Sequence, residues 1–131
     1  MQTRAIILLG AMLAASAAAD DRLSAYISGG IGEDERAQFE ASREYFNLRL
    51  AFAVRGSGEY LSSVRVRIAD DKGAQLLEAD SDGPLFYARL APGAYLVSAS
   101  YGDQTQARRV RVGERGAAEM VLYWAEPPDS R

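Results

Sequence analysis

Between Tyr45 and Trp124 apolar residues recur at every second position, in short runs separated by turn-forming residues. Phe46, Leu48, Leu50, Phe52 and Val54 alternate with Asn47, Arg49, Ala51, Ala53 and Arg55. A period of two places one set of side chains on each face of an extended strand, so this run predicts a half-buried β-strand with a polar outer face. The same alternation returns at Val64–Ile68, Phe86–Leu90, Tyr95–Tyr101, Arg109–Val112 and Met120–Trp124, and Gln75 to Ala79 reads as a short return strand. Gly56-Ser57-Gly58, Asp70-Asp71-Lys72-Gly73, Asp82-Gly83-Pro84, Gly102-Asp103 and Gly113 to Gly116 supply the breaks. Seven strands at this spacing predict an all-β sandwich over residues 45–124.

One break carries a specific expectation. In Leu90-Ala91-Pro92-Gly93-Ala94-Tyr95-Leu96-Val97, Pro92 fixes its own φ and Gly93 tolerates φ > 0. Pro92 and Gly93 therefore predict a type II turn that joins two neighbouring strands as a hairpin, with Gly93 the structural turn residue.

Ahead of the strands, the period changes. Glu33 to about Tyr45 holds good helix formers, with acidic Glu33, Asp34 and Glu35 at the dipole-favoured end. Ala37, Ala41 and Tyr45 fall near one face, with Phe39 and Phe46 close by. One short amphipathic helix is expected within a Gly-rich lead of residues 20–44, in which Leu23, Tyr26 and Ile27 form a first edge-type strand. Residues 1–19 read as a cleaved signal peptide: Arg4, the apolar run Ala5 to Ala15, then Ser16-Ala17-Ala18-Ala19 before the cut. The run is shorter than the roughly 20 residues a membrane span needs, so no transmembrane segment is expected after cleavage. The expected location is the periplasm. Pro127 and Pro128 end regular structure and leave a loose tail over 125–131.

Cleavage after Ala19 leaves 112 of the 131 residues, the size of one domain. The chain has no Cys and no His. Burial and hydrogen bonds alone must hold it, and metal or heme sites built on His or Cys, and Ser-His or Cys-His nucleophile pairs, are excluded. Paired carboxylates for glycoside hydrolysis need a cleft that so small a domain has little room for. No enzymatic activity and no cofactor are expected.

Three pieces of the chain resemble the carboxypeptidase regulatory-like domain, a transthyretin-like (prealbumin-like) sandwich. Val64 to Gly73 resembles its strand followed by a D-x-x-G turn. Asp82-Gly83-Pro84-Leu85-Phe86-Tyr87 resembles its D-x-x-G-x-F/Y segment, with Asp80 nearer the usual spacing. Leu90 to Val97 matches its L-x-P-G-x-Y-x-V hairpin. The resemblance covers about residues 46–124. It implies a seven-stranded Greek-key sandwich, transthyretin-like or immunoglobulin-like, preceded here by one short α-helix, and it permits a homodimer. In that family the domain is usually an accessory, stabilising or adhesive module, and no catalytic residue carries over. The whole chain resembles small exported proteins of Gram-negative bacteria with a GGIG segment before such a domain.

Four groups of residues are candidate contacts. Gly29, Gly30 and Gly32 at a helix start either offer N–H groups to an anion or form a tight, closely packed turn. Asp80 and Asp82 resemble the start of a calcium loop, but Pro84 and Ala91 fill the fifth and twelfth positions of that loop, and turn formation is the alternative. Arg65, Arg67, Arg109 and Arg111, with Arg49, Arg55 and Arg89, sit opposite apolar positions and either make one sheet face positive or serve as its solvated, acid-paired exterior. Residues 20–44 carry 7 acids and 3 bases, whereas 45–131 carry 11 of each. Tyr87 and Tyr123 fall on the outer face by parity and Tyr60 in a loop, placed to stack on a sugar or anchor a protein. The expected function is a non-catalytic periplasmic binding or protein-interaction module whose partner is a protein or an envelope component. A structural or stress-type envelope protein acting by oligomerisation or edge-strand pairing is the alternative. An exported, net-acidic chain does not point to nucleic acid.

Overall fold

The computed structural model describes residues 22–125. The predicted signal segment, and all of the predicted tail but Ala125, lie outside the described residues. Eight strands form two four-stranded sheets: β1 (Leu23–Gly29), β2 (Leu48–Val54), β3 (Arg65–Asp70), β4 (Gln75–Asp80), β5 (Leu85–Leu90), β6 (Gly93–Tyr101), β7 (Gln104–Val112) and β8 (Ala118–Trp124). Sheet A has the order β1-β5-β2-β8 and sheet B the order β4-β3-β6-β7. The sandwich has eight strands rather than seven because the lead segment joins it. β1 runs antiparallel to β5 as the edge of sheet A.

The alternation set the burial as expected. Leu48, Leu50, Phe52, Val66, Ile68, Phe86, Val97 and Leu122 are almost fully enclosed between the sheets. Each such side chain contributes roughly 1.5–3 kcal/mol of transfer free energy. Seven consecutive pairs, Leu48↔Ala118 to Val54↔Trp124, join β2 to β8 in parallel, which only a long crossover permits.

The Pro-Gly segment departs from expectation. β5 lies in sheet A and β6 in sheet B, so Leu90 to Val97 is not a hairpin but the corner where the chain changes sheets. Gly93 does not take a positive φ; it is the first residue of β6, in register with Val112. The type II assignment is therefore wrong. The corner is held instead by Tyr95, whose hydroxyl donates to the Ala91 carbonyl four residues upstream. A Cβ on Gly93 would sit 3.6 Å from the Tyr95 hydroxyl oxygen and 3.7 Å from its ring, so the small residue leaves space beside the ring.

The helix α1 (Glu33–Ser42) continues into a 3-10 turn, Arg43–Tyr45. Its anchoring face is narrower than the sequence suggests. Ala37, Ala41 and Tyr45 are exposed, and within α1 only Phe39 is buried. Phe39, Phe46 and Tyr87 form a second cluster on the outer face of sheet A. The Phe39 and Tyr87 rings meet edge to face at 4.9 Å.

Candidate functional site

The Gly-rich joint between β1 and α1 is occupied by the chain's own carboxylate. Gly30 (φ +95°) and Gly32 (φ +86°) hold left-handed conformations that turn the chain into the helix. The backbone N–H groups of Gly30 and Ile31 both donate to Glu35 Oε1, at 2.8 and 3.0 Å. Arg36 Nε donates to the Gly30 carbonyl at 3.1 Å. Gly29 lies against Gly83, where a Cβ would stand 2.2 Å from the Gly29 carbonyl oxygen. Gly29 and Gly30 thus form a closely packed turn with Gly32 at the helix start, and the Gly30 and Ile31 donors that would face an anion are already used.

The carboxylates of Asp80 and Asp70 are likewise engaged, whereas Asp82 is bonded through its backbone alone. Asp80 pairs with Arg65 at 2.8 Å, and Asp82 donates its backbone N–H to Ser28 Oγ at 3.0 Å. Asp70 closes the D-x-x-G turn: its Oδ1 accepts from Ala74 N at 2.8 Å and Lys72 N at 2.9 Å, while Oδ2 pairs with Arg22. The Ala74 hydrogen bond, then those from Lys72 and Arg22, hold its carboxyl below the usual range against the opposing effect of desolvation. Among the described residues no three such groups converge as a metal site.

The outward arginines divide into two sets. Arg65 bonds Glu78 and Asp80, each at 2.8 Å, and Arg67 bonds Glu78 at 3.1 Å. Their acids come from the adjacent strand β4 rather than from the helix. These hydrogen bonds lower the Glu78 pKa and raise that of Arg65. Arg43 and Arg49 pair with Glu119, and Arg89 donates to the Tyr45 carbonyl. Arg109 and Arg111 make no ion pair or side-chain hydrogen bond among the described residues. They flank a groove of about 480 Å³ on the outer face of sheet B, whose floor is Ala69, Ala94 and Leu96 and whose far side carries Asp71. Register places Arg109 beside Leu96 and Arg111 beside Ala94.

The aromatic candidates also separate. Tyr87 has the predicted outward parity but is 5% exposed, because Phe39 and Phe46 cover it. It is a packing residue and no contact candidate. Tyr123 is 41% exposed, and Ala53 lies beside it in register. Tyr60, 56% exposed, bridges Ala53 from the opposite side. Two positions along, Leu85, Ala51 and Val121 form a row across β5, β2 and β8. These three floor a shallow groove of about 440 Å³, closed at one end by the Arg43–Glu119–Arg49 group. Helix α1 covers one half of this sheet face and leaves the other half apolar and open. Val121 and Ala51 were not singled out from sequence, though a signal was present: both β2 and β8 are apolar on their outward parity near their C-terminal ends.

Compared with known protein families and with curated proteins, the chain matches none of them.

Proposed function

We propose that this chain is a non-catalytic binding or protein-interaction module of the periplasm, with the sandwich as scaffold and the uncovered half of sheet A as its contact face. The observation that carries this reading is the row Leu85–Ala51–Val121 with Tyr60 and Tyr123 beside it. Val121 and both tyrosines are over 40% exposed on a face whose other half is sealed by a helix. Exposed aromatic and aliphatic side chains ringed by charge favour an apolar ring or side chain from a partner. The Arg43–Glu119–Arg49 group supplies donors and an acceptor at the rim. A carboxypeptidase regulatory-like sandwich, used as a small adhesive or accessory unit, is the family reading that fits the two-sheet arrangement. The signal reading of residues 1–19 supports export.

The test is a thermal-shift screen of the mature protein against lipopolysaccharide, peptidoglycan fragments, simple sugars and calcium, with the Tyr60→Ser/Tyr123→Ser double variant in parallel. A ligand at 100 times its Kd stabilises by about 2.7 kcal/mol. In a domain of this size that raises Tm by about 10 °C. The expected result is such a rise with one envelope component, lost in the double variant. No rise with any component, together with a mass that grows with concentration, overturns the reading in favour of self-assembly.

A further inference from the structure

Strand β7 is one edge of sheet B, and it is the longest regular edge among the described residues. It pairs with β6 through nine consecutive residues, Gly93↔Val112 to Tyr101↔Gln104, without a bulge. The other edges are blunted. The ladders of β1 and β4 each contain a register shift. In β8 the Tyr123 carbonyl accepts from the Gln106 side chain. Regular edges of this length invite a further strand unless something forbids it.

Over Arg108–Val110, β7 disfavours a second copy of itself. Antiparallel self-pairing centred on Arg108, Arg109 or Val110 sets guanidinium groups of the two chains opposite or next to one another, and like charges directly across a ladder repel. The same arginines favour a different occupant. Arg109 and Arg111 share the outer face, roughly 7 Å apart as alternate residues of a strand, and neither has a partner among the described residues. The remaining arginines of that face, Arg65 and Arg67, are neutralised by Glu78 and Asp80.

We infer that β7 takes an acidic, extended peptide segment by strand addition over Ala107–Val112, with Asp or Glu at alternate positions opposite Arg109 and Arg111. The stretch stops near Ala107 because the residue before it, Gln106, is tied to β8 by its side chain, which donates to the Tyr123 carbonyl at 2.5 Å. Arg108 lies across the edge, donating to the Ala107 carbonyl at 2.9 Å and to Gln106 Oε1 at 3.1 Å, and swings away when the strand arrives. On the far side of the groove Asp71 repels acidic side chains toward β7. This surface lies on the opposite sheet from the face assigned above and goes beyond that assignment.

The experiment titrates labelled peptides of alternating Glu and Thr into the full protein, followed by fluorescence anisotropy and hydrogen exchange. The Glu peptide is expected to bind at least tenfold more tightly than a Lys-for-Glu peptide at low salt, and amides of Ala107–Val112 gain protection. N-methylation of the peptide backbone at alternate residues reduces affinity at least tenfold, and Arg109→Glu/Arg111→Glu reverses the charge preference. The milder Arg109→Gln/Arg111→Gln variant weakens Glu-peptide binding without reversing it, and serves if the first fails to fold. Tyr60→Ser/Tyr123→Ser leaves this binding unchanged, which separates it from the sheet A face. Equal binding of the N-methylated peptide, or equal binding of lipopolysaccharide with no protection of β7, overturns strand addition. Absence of Glu-peptide binding overturns the inference outright.

Discussion

At the scale of single residues, two glycines that look alike in sequence have opposite reasons to be glycine. Gly83 meets backbone: a methyl group there would overlap the Gly29 carbonyl, and neither chain can yield without breaking the joint between β1 and β5. Gly83→Ala is expected to cost about 3 kcal/mol in urea unfolding. Gly93 meets only ordinary contact distances and has no positive φ, so Gly93→Ala is expected within about 1 kcal/mol of the parent. Equal losses at the two sites contradict this account of the corner. Asp70 makes a pH prediction. Its carboxyl is held below the ordinary Asp value of about 3.9 by the Ala74 and Lys72 N–H groups and by Arg22. A depressed acid stabilises the fold fully above its unfolded value, and that stabilisation is lost as pH falls toward and through the folded value. Thermal melts of the parent should therefore drop more steeply below about pH 4 than those of Asp70→Asn; parallel curves exclude the turn hydrogen bonds as the cause.

At the scale of elements, the strands were legible and their connections were less so. Period-two alternation is a local property, and it placed Leu48, Phe52, Ile68, Phe86 and Trp124 inside as found. Which strands neighbour one another is not local. Pro92-Gly93 satisfies the chemistry of a tight turn, yet the hydrogen bond from Tyr95 to Ala91 and the change of sheet decide the geometry there. Tyr87 failed for a related reason: parity states which face a side chain takes, not what covers that face. The helix illustrates the same point, since its single buried residue holds it down. Phe39→Ala removes about 3 kcal/mol of packing from that contact. Hydrogen exchange over residues 33–45 should accelerate at least tenfold while β3 and β6 stay protected. Uniform acceleration across both sheets contradicts a helix that opens on its own.

At the scale of the whole molecule, two features of the described surface stand out, the apolar half of sheet A and the arginine edge of sheet B. The candidate site was partly readable: Tyr123, Arg109 and Arg111 stand exposed where alternation put them, while Gly29, Gly30 and Gly32 are taken up by the turn into the helix and Asp80 by Arg65. The row Leu85–Ala51–Val121 escaped because it is assembled from three strands far apart in sequence. Charge segregation was visible as a count, but only pairing in register shows that Arg65 and Arg67 are spent on β4. The central claim is that the uncovered half of sheet A binds. It is tested most directly by placing a photo-crosslinking residue at positions 60, 121 and 123 in turn, with exposed positions 33 and 115 as controls, and irradiating cells that express the full chain. The account predicts a discrete adduct at 60, 121 and 123, absent at 33 and 115. No adduct at the three sheet A positions, or the same adducts at all five, contradicts it.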